Sequence, residues 1–73
     1  MNKALLNAID KAGGRVPLSV ALGVGRQAIY NWERQGYVPP ARATQIERLY
    51  GVDSIMLVKP ELRELVTSLA AKQ

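Results

Sequence analysis

Glycine and proline punctuate this chain at short intervals, and that rhythm limits what it can fold into. Gly13-Gly14, Gly23, Gly36 and Gly51 each close a short segment, while Pro17, Pro39-Pro40 and Pro60 each open one. Glycine ends helices by taking the left-handed conformation just past the last turn. Proline suits the first turn, where its missing N–H leaves no bond unmade. The apolar residues between these stops follow the helical period rather than strand alternation. Leu5, Ala8, Ile9 and Ala12 form one stripe; Ala43, Ile46, Leu49 and Tyr50 form another; Leu62, Leu65, Val66 and Leu69 form the last. The chain therefore reads as all-α, five short helices: Asn2 to about Ala12, Pro17 to Gly23, Gly25 to Gly36, Pro39-Pro40 to Gly51, and a last one from Pro60. Residues 52–58 fit either a helical turn capped by Asp53 or Ser54 or an edge strand, with the turn preferred.

Seventy-three residues make one domain, residues 1–73, because a second core would have too little apolar surface. Even one core is small. A chain this size buries only about 60% of its unfolded surface, and without cysteine it has no disulfide to help. Association with another chain is the remaining source of stability. With no His and no Cys, Ser-His and Cys-His nucleophile systems are excluded, as is an imidazole acid or base near neutral pH. No enzyme activity, metal, cofactor or small-molecule ligand is expected. Hydrophobic residues at 48% with 22% charged describe a folded domain. Met1 to Gly14 carries Lys3, Asp10 and Lys11 without a continuous apolar block, so no leader peptide is expected. No run approaches the roughly 20 apolar residues of a membrane span. The expectation is a cytoplasmic protein.

Charge is unevenly placed. Lys11, Arg15, Arg26, Arg34, Arg42 and Arg48 face only Glu33 and Glu47 between positions 11 and 48, which accounts for the whole net charge of +4. Five of those six bases are arginine, whose rigid fork of donors suits phosphates and guanine edges.

The stretch RVPLSVALGVGRQAIYNWERQG, residues 15–36, gives that charge a geometry. Two short helices meet across Gly23-Val24-Gly25, a turn tight enough to need positive φ at Gly23. Leu18 and Leu22 point inward from the first helix, Ile29 and Trp32 from the second, and Val24 fills the corner. This is the spacing of a helix-turn-helix, at about residues 16–36, whose second helix enters a major groove. On the opposite face of that helix, Arg26, Gln27, Tyr30, Asn31 and Arg34 form one strip. Arg26 matches guanine O6/N7, and Gln27 and Asn31 match adenine N6/N7. Tyr30 suits a thymine methyl or a phosphate, and Arg34 lies where the backbone would pass. The helix N-terminus at Gly25-Arg26 offers N–H groups to an anion.

Leu22-Gly23-Val24, Gln27-Ala28-Ile29, Asn31-Trp32, Gly36, Val38-Pro39 and Gln45-Ile46-Glu47-Arg48 together resemble the helix-turn-helix of Cro-type phage repressors. The closest likeness is to the all-helical, YdaS-like prophage regulators of that group, over roughly Leu5 to Val52. The resemblance implies that Gly25, Arg26, Gln27, Tyr30 and Asn31 contact bases and that Arg15, Val16 and Pro17 approach the DNA backbone. Arg34 and Arg42 are assigned to the backbone on position and charge. Three positions depart from the family pattern: Ser19 in a small-residue slot, Val16 in a capping slot, and Gly25 where relatives carry a side chain.

One recognition helix covers about 4–5 base pairs, so paired half-sites about 34 Å apart are the usual remedy. A weak homodimer is expected, with Ile55, Met56, Leu57 and Val58 as its contact within a C-terminal segment, residues 53–73. The expected function is a transcriptional repressor that blocks a double-stranded DNA operator. Two alternatives differ in partner: an antitoxin-like module that binds a protein, and a binder of nucleic acid without sequence preference.

Overall fold

The structure, a computed structural model, describes residues 2–62. Among them lie four α-helices and no strand: α1 (Lys3–Ala12), α2 (Arg15–Leu22), α3 (Arg26–Gln35) and α4 (Pro40–Tyr50). Two single 3-10 turns follow, Ser54–Met56 and Pro60–Leu62. Where a fifth helix is expected, Pro60–Leu62 form only a 3-10 turn, and the rest of that expectation, with Leu65, Val66 and Leu69, lies outside the described residues.

Helix ends follow from the punctuation. Asn2 caps α1 by accepting from the Leu5 N–H at 3.1 Å. Gly13 and Gly23 end α1 and α2 at φ 96° and 71°, and each opens the same pair of reversed hydrogen bonds. At the second, the Gly23 N–H donates to Val20 O and the Val24 N–H to Ser19 O, at 3.2 and 3.0 Å, which satisfies carbonyls the helix itself leaves free. One boundary differs from the sequence reading. Helix α2 starts at Arg15, not Pro17, because Gly14 (φ 135°, ψ 177°) supplies the turn two residues earlier. Its carbonyl accepts from Leu18 N–H at 3.2 Å. Pro17 still falls in the first turn, where its missing donor leaves no bond unmade, and Val16 is helical rather than capping.

Helix α2 packs against α1, α3 and α4, and α4 also against α1. The core they enclose contains Leu5, Ala8 and Ile9 from α1, Leu18 and Leu22 from α2, Ile29 and Trp32 from α3, and Ala43 and Ile46 from α4. Val24 and Tyr50 pack at its margin. Leu49, placed in the α4 stripe by spacing, is instead exposed.

Residues 52–58 form the turn rather than the strand. The Asp53 carboxylate caps it by accepting from the Ile55 N–H at 3.0 Å, and Glu47 Oε1 accepts from the Ser54 N–H at 2.8 Å. The chain then returns inward: Val38 N–H donates to Leu57 O at 2.7 Å, and Val52, Leu57 and Val58 join the core. This corrects the expectation that Leu57 and Val58 meet a second copy. At 0% and 3% exposure they are already packed within their own chain. Ile55 is half-buried, and Met56, 54% exposed, is the one of the four that points fully outward. Among the described residues no helix is long and apolar enough to cross a membrane.

Candidate nucleic-acid interface

The α3 strip starts at Gly25, whose extended backbone (φ −74°, ψ 153°) caps α3 without any side-chain hydrogen bond. Gly25 is exposed, so the uncapped first-turn amides, with their partial positive charge, stand at the surface. A Cβ there would meet nothing within 4 Å. Glycine at this position is thus not demanded by the fold, unlike Gly23.

Along the helix, Ile29 and Trp32 turn into the core, and that fixes the phase of everything else. Arg26, Gln27, Tyr30, Asn31 and Arg34 are all exposed, as the 3.6-residue period requires once two residues on the other side are buried. Within the strip Gln27 Nε2 donates to Asn31 Oδ1 at 3.1 Å, one turn apart. Gln27 keeps its Oε1 acceptor and one N–H donor, and Asn31 keeps both of its N–H donors. The pair presents donor and acceptor groups side by side in a fixed relation.

Arg15, at the start of α2, reaches across to α3. Its Nε donates to Glu33 Oε2 and its Nη2 to Glu33 Oε1, both at 2.7 Å. The guanidinium carbon also lies 5.8 Å from the centre of the Tyr30 ring. This bidentate fork is the strong form of a charge-assisted hydrogen bond. The hydrogen bonds from Arg15 hold the Glu33 carboxyl below its ordinary pKa, against the opposing effect of burial. The Arg15 pKa is raised by the same bonds. Val16 and Pro17 are exposed beside it.

Arg42 has partners within the chain that the sequence reading did not assign. Its Nη1 donates to Leu22 O at 3.0 Å and to Gln45 Oε1 at 2.9 Å, and Gln45 Nε2 approaches the same Leu22 oxygen at 3.4 Å. The cation sits on the carbonyl end of α2, where it complements the helix dipole. It joins α4 to α2.

Sequence reasoning missed three of these side chains. Glu33 and Gln45 act across 18 and 23 residues, beyond any local pattern. Asn2 was read only as a cap, yet its Nδ2 also donates to Met56 O at 2.9 Å and Gly36 O at 3.3 Å, tying the end of α3 to the 3-10 turn. Among the described residues no group of His, Cys, Asp or Glu is placed to hold a metal ion. The surface assembled here offers hydrogen-bond donors, acceptors and positive charge on a convex helix.

A family model described as bacterial toxin YdaS matches residues 5–55, more than half of the 73-residue chain and all four α-helices save the first two residues of α1. The chain belongs to that family. No curated protein and no solved structure matches it.

Proposed function

We propose that this chain, as a member of the YdaS family, is a sequence-specific double-stranded DNA-binding regulator of Cro type. It is a cytoplasmic repressor, not an enzyme, that occupies a pseudo-palindromic operator as a dimer and blocks transcription. The observation that carries this reading is the exposed strip Arg26, Gln27, Tyr30, Asn31 and Arg34. It lies on the second of two helices joined by only three residues. In this reading α2 and α3 are the helix-turn-helix, and α3 enters the major groove.

The roles follow from the chemistry of each group. Arg26 forks onto guanine. Gln27, held by Asn31, offers the acceptor and donor that adenine N6 and N7 require, and Asn31 carries its own amide donors to the neighbouring base or phosphate. Tyr30 meets a thymine methyl or a phosphate, while Arg15, Val16, Pro17 and Arg34 border the backbone. Gly25 brings the helix N-terminus close to the DNA, since it has no side chain to intervene. Of the residues first assigned to the dimer contact, Met56 and half-buried Ile55 remain available to a partner.

Selection of bound sequences from a random duplex library at about 150 mM salt, where unspecific binding is suppressed, tests the reading. Enrichment of a two-fold symmetric site with half-sites one helical turn apart is the expected result. A lone half-site would remove the dimer, and no enrichment would overturn sequence-specific binding.

The family's description as a toxin favours a second consequence: overproduction of the chain arrests growth, here by occupying DNA. Arg26→Ala is then expected to relieve arrest together with duplex binding. Arrest that persists in a variant unable to bind DNA would move the function to a protein partner. The antitoxin-like alternative draws no support from the family match.

A further inference from the structure

We infer that Glu33 is a positioning residue of the DNA interface: its carboxylate holds the Arg15 guanidinium at the edge of the α3 strip, where Arg15 meets a phosphate. The inference rests on the DNA-binding reading above. Glu33 is the single acid on α3, a helix that also carries Arg26 and Arg34. An acid so close to a bound polyanion repels it, so charge alone says that removing Glu33 tightens binding. The geometry says the opposite. The Glu33 side chain is only 8% exposed and is spent on Arg15, whose own side chain stays 41% exposed. The fork uses the Nε–H and one Nη2 hydrogen. Of the five guanidinium donors, the remaining three take no partner among the described residues.

The cation is also fixed in place. It starts from the first residue of α2, crosses to Glu33 in the last turn of α3, and lies beside Tyr30, itself a member of the exposed strip. A free arginine on that surface would lose rotamer freedom on meeting a phosphate. Arg15, already held by two bonds to Glu33, has lost that freedom before binding. Glu33 thus acts through Arg15 and touches no DNA.

Duplex affinities of the full chain, the Glu33→Gln and Arg15→Ala variants and their double variant, each over a range of salt, test this, with thermal melts as the check on folding. With Arg15 present, Glu33→Gln is expected to lower affinity about threefold to fivefold. It should also reduce the slope of log K against log salt by about 0.9, one phosphate contact. In the Arg15→Ala background the same substitution is expected to raise affinity about twofold, because only the repulsion is then left. A reversal of sign between backgrounds is something a merely structural glutamate would not produce. Tighter binding in both backgrounds, or an equal loss in both, would overturn the inference while the DNA-binding reading stood. Absence of duplex binding by the unaltered chain would overturn both. Should Glu33→Gln not fold, Arg15→Lys keeps the charge but loses the fork: weaker binding with a smaller salt slope supports the inference, and unchanged binding overturns it.

Discussion

Replacing Arg42 by Ala is expected to destabilise the fold and to leave the salt dependence of DNA binding unchanged. The substitution removes two hydrogen bonds from a charged donor, to Leu22 O at 3.0 Å and Gln45 Oε1 at 2.9 Å. Leu22 O belongs to the last turn of α2, so no helical amide replaces the lost donor. Gln45 Nε2, at 3.4 Å, is too distant to do so well. A hydrogen bond to a charged group contributes about 1.5–3 kcal/mol when buried. Arg42 is half-buried, and water recovers part of that, which leaves a loss of about 1–2 kcal/mol. For a domain of this length each kcal/mol moves the melting temperature by about 4–8 °C, so a fall of about 4–16 °C is expected. Circular-dichroism melts measure that fall, and salt titrations of duplex affinity well below the transition measure the slope. A melting temperature within about 2 °C of the unaltered chain, together with a slope smaller by about 0.9, would refute the reasoning. It would show Arg42 spending its charge on phosphate and not on α2.

Three further outcomes are expected. Arg26→Ala should weaken the selected duplex by about 1–3 kcal/mol and relax preference at one base pair; an equal loss on random duplexes would exclude base reading by Arg26. Leu57→Ala should cost about 2–5 kcal/mol of stability through a core cavity, whereas exposed Met56→Ala should stay within about 0.5 kcal/mol. Sedimentation showing that Leu57→Ala alters self-association with no change in melting would contradict its burial. The Glu33 carboxyl, held below its ordinary pKa by Arg15, binds its proton less readily folded than unfolded. Its stabilisation is therefore complete above the unfolded value of about 4.3 and disappears as pH falls through the lower folded one. Glu33→Gln should thus melt about 2–4 °C lower than the unaltered chain at pH 7, with the gap closing towards pH 3. A gap that persists in acid would exclude the ion pair as its cause.

What the sequence made legible was local. Gly13, Gly23, Gly36 and Gly51 all take positive φ at helix ends, and a backbone requirement of that kind is written in the residue itself. The burial of Ile29 and Trp32 follows from their three-residue spacing, and with it the phase of Arg26, Gln27, Tyr30 and Asn31. The errors came where a decision needed the third dimension. Leu57 and Val58 look like surplus apolar residues beside an exposed Met56, because nothing local reveals that the Val38 N–H draws Leu57 inward. Likewise the start of α2 turned on Gly14, whose unusual φ no spacing rule separates from that of its neighbour Gly13.

Charge counting shows the same limit in a form that bears on function. Six bases in residues 11–48 account for the whole net charge, but a count does not tell which of them are paired within the fold. Three of them are committed within the chain: Lys11 Nζ donates to Tyr50 O at 3.1 Å, Arg15 to Glu33, and Arg42 to Leu22 and Gln45. Each lies on or beside a helix end or a carboxylate that would otherwise lack a partner, so their charge helps hold α1, α2, α3 and α4 together. Arg26, Arg34 and Arg48 are exposed and take no hydrogen bond among the described residues. Two of these three belong to α3. The net charge of +4 is therefore a poor measure of the interface. Of the six, two of the three that take no such bond, Arg26 and Arg34, lie on the helix that also carries Gln27 and Asn31, so unpaired positive charge and exposed amide groups coincide on one face. That coincidence is what favours the proposed reader of sequence over a surface that is merely basic.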